Sequence, residues 1–288
     1  MSKIDYRAVA EDAGLPRVGA RAPFVAYMRE LWTRRHFAST MARFRVEATM
    51  AENRLGLAWV VLNPLLQAAV YGLIFGVIMS SDSRPPKFIP FLVTGFFIFT
   101  YFSKSFSQGA KSISGNLSLV RSLAFPRMLL PISAVMRQLY ELVPMLAVLA
   151  VILIGFGEFP DWTWLLMVPI LVLMTMFNTG IALIAARLTV HVRDVSQLIP
   201  IITRIIFYMS GIFYSLELVL APPKHPAWLL QVAQLNPVHA FIELSRGALQ
   251  ESQDVPAVLW LVASVAAVGF LAFGLVFFWR AEERYGRE

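Results

Sequence analysis

Six long apolar runs, at residues 57–80, 88–106, 129–156, 162–186, 198–220 and 257–279, alternate with short polar connections along the chain. Each approaches or exceeds the ~20 residues that a helix rising ~1.5 Å per residue needs to cross ~30 Å of hydrocarbon. Closed β-barrels also satisfy their backbone within lipid, but they require shorter segments of alternating polarity, and that alternation is absent here. The pattern therefore predicts an all-α integral membrane protein with six transmembrane helices.

Residues 1–56 precede the first run and are too polar and too long for a cleavable signal peptide, so the first span is expected to persist as an anchor. Within them Pro23 can open a helix that places Phe24, Tyr27, Met28 and Leu31 on one face, with Arg29, Arg34 and Arg35 mostly elsewhere. Such an amphipathic interface helix either lies in the membrane surface, its arginines near anionic headgroups, or packs on another protein. A second helical stretch with Phe37, Met41 and Phe44 leads into the first span. There Asn63-Pro64 interrupts the hydrogen-bond ladder, and Gly72 and Gly76 allow another helix to approach closely. The second run carries Phe88, Phe91, Phe96, Phe97, Phe99, Tyr101, Phe102 and Phe106, most of which are expected to face lipid. The domain reading is a cytoplasmic segment over 1–56, a membrane domain over 57–280 and a cytoplasmic tail over 281–288.

Three connecting regions carry further patterns. Over 108–128, Ile113, Leu117, Val120 and Ala124 recur at helical spacing beside Lys111 and Arg121, forming either a docking peg for a soluble partner or a solvated turn. Arg137 and Glu141 stand four apart and can pair across one helical turn. At membrane depth that ion pair must face protein or water; nearer the boundary, Arg137 simply snorkels. Residues 213–256 hold Pro222-Pro223 and two short apolar patches separated by Asn236-Pro237. Neither patch is long enough to cross, so the region is expected to form a re-entrant external hairpin between spans five and six, acting as a gate or resting as a lid.

Composition agrees: 58% of residues are hydrophobic and 15% charged, against roughly 45–50% and 25% in a soluble domain. The net charge of +7 gains meaning from its distribution. With the N-terminus inside, ten, four, three and three of the 25 basic residues fall on the cytoplasmic side. Only Arg84, Lys87, Lys224 and Arg246 fall outside, and the positive-inside rule then places both termini in the cytoplasm. The basic residues form no dense stripe, which argues against nucleic acid. Cysteine is absent, which excludes disulfides and thiolate chemistry. The chain has no phosphate loop, no metalloprotease helix and no nucleophile elbow. His36, His191, His225 and His239 are dispersed, which argues against a metal site, and Glu217, Glu243, Glu251 and Asp254 read as solvated loop charges.

Arg54-Leu55-Gly56-Leu57-Ala58-Trp59 followed by Leu62-Asn63-Pro64 resembles the start of the first span in ABC-2 type permeases that export O-antigen, teichoic acid and capsular polymers. Gly115-Asn116 through Phe125-Pro126-Arg127, Arg193-Asp194, Ser210-Gly211-Ile212-Phe213-Tyr214 and Leu235-Asn236-Pro237 with Glu243 to Arg246 continue the resemblance over about residues 24 to 280. Gly211-Ile212 departs from the proline more usual in the family. The resemblance implies a homodimeric permease in the inner membrane that binds two copies of a nucleotide-binding ATPase, with ATP and magnesium held by that partner and no cofactor on this chain. It implies a coupling segment with Ile113, Asn116, Leu117, Val120 and Arg121, and an external gate with Trp228, Asn236, Pro237 and Phe241. Phe97, Tyr101, Phe207 and Tyr214 are candidates to line a channel. The implied cargo is a polysaccharide on a polyprenyl diphosphate carrier, cell-wall galactan among the options. The alternative readings are a drug or lipid exporter and a polyprenyl-sugar transferase. The charge pattern predicts that labels restricted to the cytoplasmic face reach both chain ends; ends on opposite faces would overturn it.

Overall fold

The computed structural model describes residues 23–52, 56, 58–78, 85, 87–123, 125–192, 194–220, 226–250 and 256–282. Of the residues singled out from the sequence, Arg54, Leu55, Leu57, Arg84, Ala124, Arg193, Pro222, Pro223, Lys224, His225, Glu251 and Asp254 lie outside the described ones. Among the described residues all regular structure is helical: α1 (Phe24–Thr33), α2 (Arg35–Glu52), α3 (Ala58–Ile78), α4 (Phe88–Ala110), α5 (Leu117–Ser122), α6 (Leu129–Gly155), α7 (Met167–His191), α8 (Val195–Met209), α9 (Leu216–Leu220), α10 (Ala227–Gln234), α11 (Pro237–Leu249) and α12 (Ala257–Trp279). Short 3-10 turns cover Ser114–Asn116 and Trp162–Leu166.

Among the described residues five helical stretches are long and apolar enough to cross a membrane: α3, α4, α6, the 3-10 turn continued by α7, and α12. The fifth of the six predicted runs behaves differently. It begins three residues early, at Val195, and α8 stops after 15 residues, a rise of only ~22 Å. The chain turns at Gly211, whose φ of 65° suits a residue without a Cβ. Ser210 donates its hydroxyl back to the Ile206 carbonyl at 2.7 Å, a local competitor to helix continuation. By contrast α3 runs unbroken through Pro64, which is buried.

The centre of the bundle is α4, enclosed by α6, α7 and α11. Its aromatics are not the lipid-facing set the sequence suggests. Phe91, Phe96, Phe97, Phe99, Tyr101 and Phe102 are all buried, and Phe88 and Phe106 are half-buried. Phe102 stacks on Phe177 of α7 with centroids 6.0 Å apart. The lipid-facing role falls instead to aliphatics such as Val70, Leu73 and Val77 of α3 and Leu261, Val265 and Val268 of α12. The two glycines expected to admit a neighbouring helix meet side-chain ends of α4 and not its backbone: a Cβ at Gly72 would stand 3.0 Å from Leu92, and one at Gly76 3.9 Å from Phe88.

Two glycines set a close crossing of α7 and α12. At Gly180 of α7 a Cβ would overlap the Phe270 backbone of α12, and at Gly274 it would lie 2.5 Å from the Gly180 carbonyl oxygen. Small residues of this kind let membrane helices pack backbone to backbone.

At the opposite end from the α3–α4 connection, α1 packs its predicted face on its own chain. Tyr27 is buried, Met28 and Leu31 join its cluster, and Phe24 meets Trp279 edge-on at 5.3 Å. Val25 and Trp32, on the other side of α1, are exposed. Replacing Gly180 by Leu is expected to lower stability by about 1–3 kcal/mol, as overpacking does; an unchanged unfolding midpoint in detergent would show that the seam yields.

Candidate transport groove and its supporting contacts

A cleft of about 670 Å³ opens between α3, α4 and α8. From α4 it takes Phe96, Phe99, Thr100, Ser103, Lys104 and Ser107, which recur at steps of three and four and so share one face. Asn63, Gln67 and Tyr71 come from α3, and Thr203, Arg204 and Phe207 from α8. The lining changes character along its length. Toward the Phe88 end of α4, Tyr71, Phe96 and Phe207 form an aromatic group, with Tyr71 and Phe207 5.3 Å apart and Phe96 edge-on to Phe207 at 5.8 Å. Toward the Ala110 end, amides, hydroxyls and cations take over. Flat apolar faces beside convergent hydrogen-bonding groups suit a ligand that is itself both, as a sugar is.

Of the four channel candidates from the sequence, Phe207 lines this groove. Phe97 and Tyr101 occupy the other side of α4, inside the bundle, where the Tyr101 hydroxyl meets Thr175 Oγ1 at 2.8 Å. Tyr214 sits past the break beside Phe213 and donates its hydroxyl to the Tyr208 carbonyl at 2.6 Å. Sequence reading missed Phe96 and Phe99; the signal was the polar stripe Thr100, Ser103 and Ser107, one helical face in an otherwise apolar run.

Behind the polar end runs a chain of charges. Glu141 is buried, accepting from Arg137 Nε at 2.8 Å and from Lys104 Nζ at 3.4 Å. The pair expected from the four-residue spacing is therefore formed, with Lys104 as a third member. Arg137 Nη2 also donates to Thr49 Oγ1 of α2 at 3.0 Å. Nearby, Arg45 donates to Asn116 Oδ1 at 2.7 Å, and Asn116 donates to the Ser112 carbonyl at 2.6 Å. Burial, and after it the charge of Arg137, pull the Arg45 guanidinium below its ordinary value.

The predicted coupling residues divide. Ile113 and Val120 point into the fold, against Met128, Leu130 and Leu183, whereas Leu117 and Arg121 are exposed and Asn116 is half-buried. This turn is held by a three-way contact between distant segments. Arg127 donates its backbone N–H to Glu282 Oε1 at 3.1 Å and its side chain to the Glu282 carbonyl at 2.6 Å, while Met128 N donates to the Tyr27 hydroxyl at 3.3 Å. Burial raises the Glu282 carboxyl to about 6 against the opposing effect of the Arg127 N–H.

At the other end, the gate candidates also separate. Trp228 is exposed on α10. Asn236 caps α11 by accepting from Val238 N at 3.1 Å and ties it to the break by donating to Ser210 Oγ at 3.0 Å. Pro237 opens α11 in the first position, where its missing N–H is harmless. Phe241 is fully buried, 5.5 Å from Phe177.

The largest departure concerns Arg246 and Glu243, read from sequence as external loop charges. Arg246 is completely buried, with its guanidinium 3.3 Å over the Phe91 ring. Its five N–H donors make five bonds: Nε and Nη2 to the Phe91 carbonyl at 3.2 and 3.1 Å, Nη1 to the Gly211 carbonyl at 3.0 Å, Nη2 to the Ile212 carbonyl at 2.9 Å, and Nη1 to Glu243 Oε1 at 2.5 Å. Room for it is made at Gly95, where a Cβ would stand 2.5 Å from Nη2.

Several helices of spanning length packed around a cleft of mixed aromatic and polar lining define a multi-pass membrane protein. The sequence pattern of the ABC-2 type transporter family matches residues 38–249, and the chain belongs to that family. It is 27% identical over 260 residues to the O-antigen export system permease protein RfbA of Myxococcus xanthus, covering 90% of this chain and 98% of that protein. It is 28% identical over 189 residues to an RfbA of the same description from Klebsiella pneumoniae, covering 65% and 70%. The polysialic acid transport protein KpsM of Escherichia coli is 28% identical over 201 residues, covering 68% and 74%.

Arg246→Met strands the Gly211 and Ile212 carbonyls and the Glu243 carboxylate, and is expected to destabilise the chain by about 3–5 kcal/mol, with Arg246→Lys recovering only part because it offers three donors. A wild-type unfolding midpoint for Arg246→Met would contradict this. For Glu282, the folded value of about 6 lies above the ordinary 4.5. The stability it contributes is thus present below about 4.5 and lost as pH rises through about 6. Glu282→Gln should gain on the wild type as pH climbs from about 4 to 7, measured as the difference in unfolding midpoint; a difference constant with pH would refute the assignment.

Proposed function

We propose that this chain is the membrane permease of an ABC exporter that carries a polyprenyl-diphosphate-linked polysaccharide from the cytoplasm across the inner membrane, driven by a separate ATPase. The observation that carries the reading is the groove, whose aromatic and hydrogen-bonding walls suit a glycan, in a member of the ABC-2 type family whose relatives are named for O-antigen export and polysialic acid transport. Two copies pair so that their grooves face one another and close a conduit. In each, α8 provides a partial sixth crossing, and α9 to α11 return as the external hairpin that gates the far end. Both termini lie in the cytoplasm.

The ATPase, two copies per permease pair, docks on the exposed side of the α5 region, where Leu117 and Arg121 face outward. It holds the ATP and magnesium. The buried Ile113 and Val120 transmit its movement to Met128 and Leu130 at the foot of α6.

Depleting the protein should make lipid-linked glycan accumulate on the cytoplasmic face, read by extraction and glycan analysis; unchanged level and sidedness would reject the export reading. Leu117→Asp should release or uncouple the ATPase while leaving the bundle folded, because it places a charge on a small exposed apolar contact. Val120→Asp should instead damage folding, since Val120 is buried. Retained complex and full transport in Leu117→Asp would move the docking surface elsewhere.

A further inference from the structure

The groove has a charge asymmetry that a glycan alone does not require. Its lining includes two cations, Lys104 and Arg204, and no carboxylate. A cation along an apolar span is expensive unless it faces protein partners, water or an anionic ligand. Lys104 is partly satisfied from behind by Glu141 at 3.4 Å, but that carboxylate has the closer Arg137 at 2.8 Å. Arg204 is exposed and has no ion pair among the described residues. Further donors line the same wall: Ser103 and Ser107 beside and about one turn from Lys104 on α4, and, next to Arg204 on α8, Thr203, whose buried hydroxyl has no partner among the described residues. Two cations flanked by hydroxyls, with no acid on the wall, form a receptor for a compact multivalent anion.

We infer that Lys104 and Arg204 bind the diphosphate group of the carrier lipid, holding the anchored end of the cargo at the polar end of the groove. This rests on the export reading above. Lys104 exchanges Glu141 for a diphosphate oxygen, and Glu141 keeps Arg137, so no charge is left unpaired on binding. A neutral lipid gains nothing from this pair, which makes the site selective for diphosphate-bearing carriers.

The test uses the full chain in nanodiscs of zwitterionic phosphatidylcholine, with three probes: a polyprenyl diphosphate, the polyprenol of equal chain length, and inorganic pyrophosphate. Lys104→Gln and Arg204→Gln should each weaken polyprenyl diphosphate binding about tenfold, the loss of one charge-assisted contact. Lys104→Arg should retain it, which a merely misfolded variant would not explain. Polyprenol should bind more weakly than the diphosphate and be insensitive to all three substitutions. Inorganic pyrophosphate binding as tightly as the lipid would overturn the carrier assignment in favour of a soluble anion. Unchanged diphosphate affinity in both glutamine variants would overturn the site itself. If depletion still makes lipid-linked glycan accumulate, that failure leaves the export reading standing; absent accumulation sinks the reading instead.

Discussion

A helix that stops short within a membrane-embedded bundle leaves carbonyls that no water is there to satisfy, and this chain answers that demand with a guanidinium. The break after α8 frees the carbonyls of Gly211 and Ile212, and the first turn of α4 offers that of Phe91; Arg246 of α11 reaches all three. Backbone polar groups in lipid must be met internally. A completely buried arginine would be prohibitive unpaired, and a broken helix would be prohibitive uncapped, but each removes the other's penalty. The same contact fixes three elements in sequence-distant positions, so the placement of α8, and with it one wall of the groove, depends on a residue of α11.

The groove follows from how α4 is used. Helical periodicity sends Phe97 and Tyr101 one way, into the bundle against α7, and Phe96, Phe99 and Ser103 the other way, into the cleft. A single aromatic-rich run thereby builds a core on one side and a binding wall on the other. Because the polar residues of that wall cluster toward one end, the cleft has a direction before any partner is added.

Much of the fold was legible in the chain because the bilayer constrains it so strongly. Run length alone marks α3, α4, α6, α7 and α12, and four-residue spacing alone brings Arg137 to Glu141. Asn236-Pro237 announces a capped helix, and Pro23 opens α1. The illegible part depends on which faces meet. Aromatics suit lipid and protein interior equally, so nothing in the run around Phe97 reveals that α4 is surrounded. Arg246 reads as a solvated charge because its ligands are main-chain carbonyls, which carry no residue type to search for. Apolarity continues past Ser210, so hydropathy joins α8 to the segment after it, although Gly211 hints at the turn. Phe207, named from the sequence for the channel, and Phe96, not named for it, both line the cleft for one reason: composition names aromatics, but only packing assigns their sides.

The meeting of Gly180 with Gly274 has a mechanical corollary. Main chain resting on main chain has no rotamers through which to give, so α7 and α12 behave as a single beam, stiffened further where Arg187 lies over the Phe277 ring at 3.8 Å. By comparison α3 leans on α4 through the ends of side chains such as Leu92 and Phe88, and much of its surface touches nothing else in the chain. Of the walls around the cleft, α3 is thus the one held only by side-chain ends, so one half of the molecule is a stiff frame and the other merely rests against it.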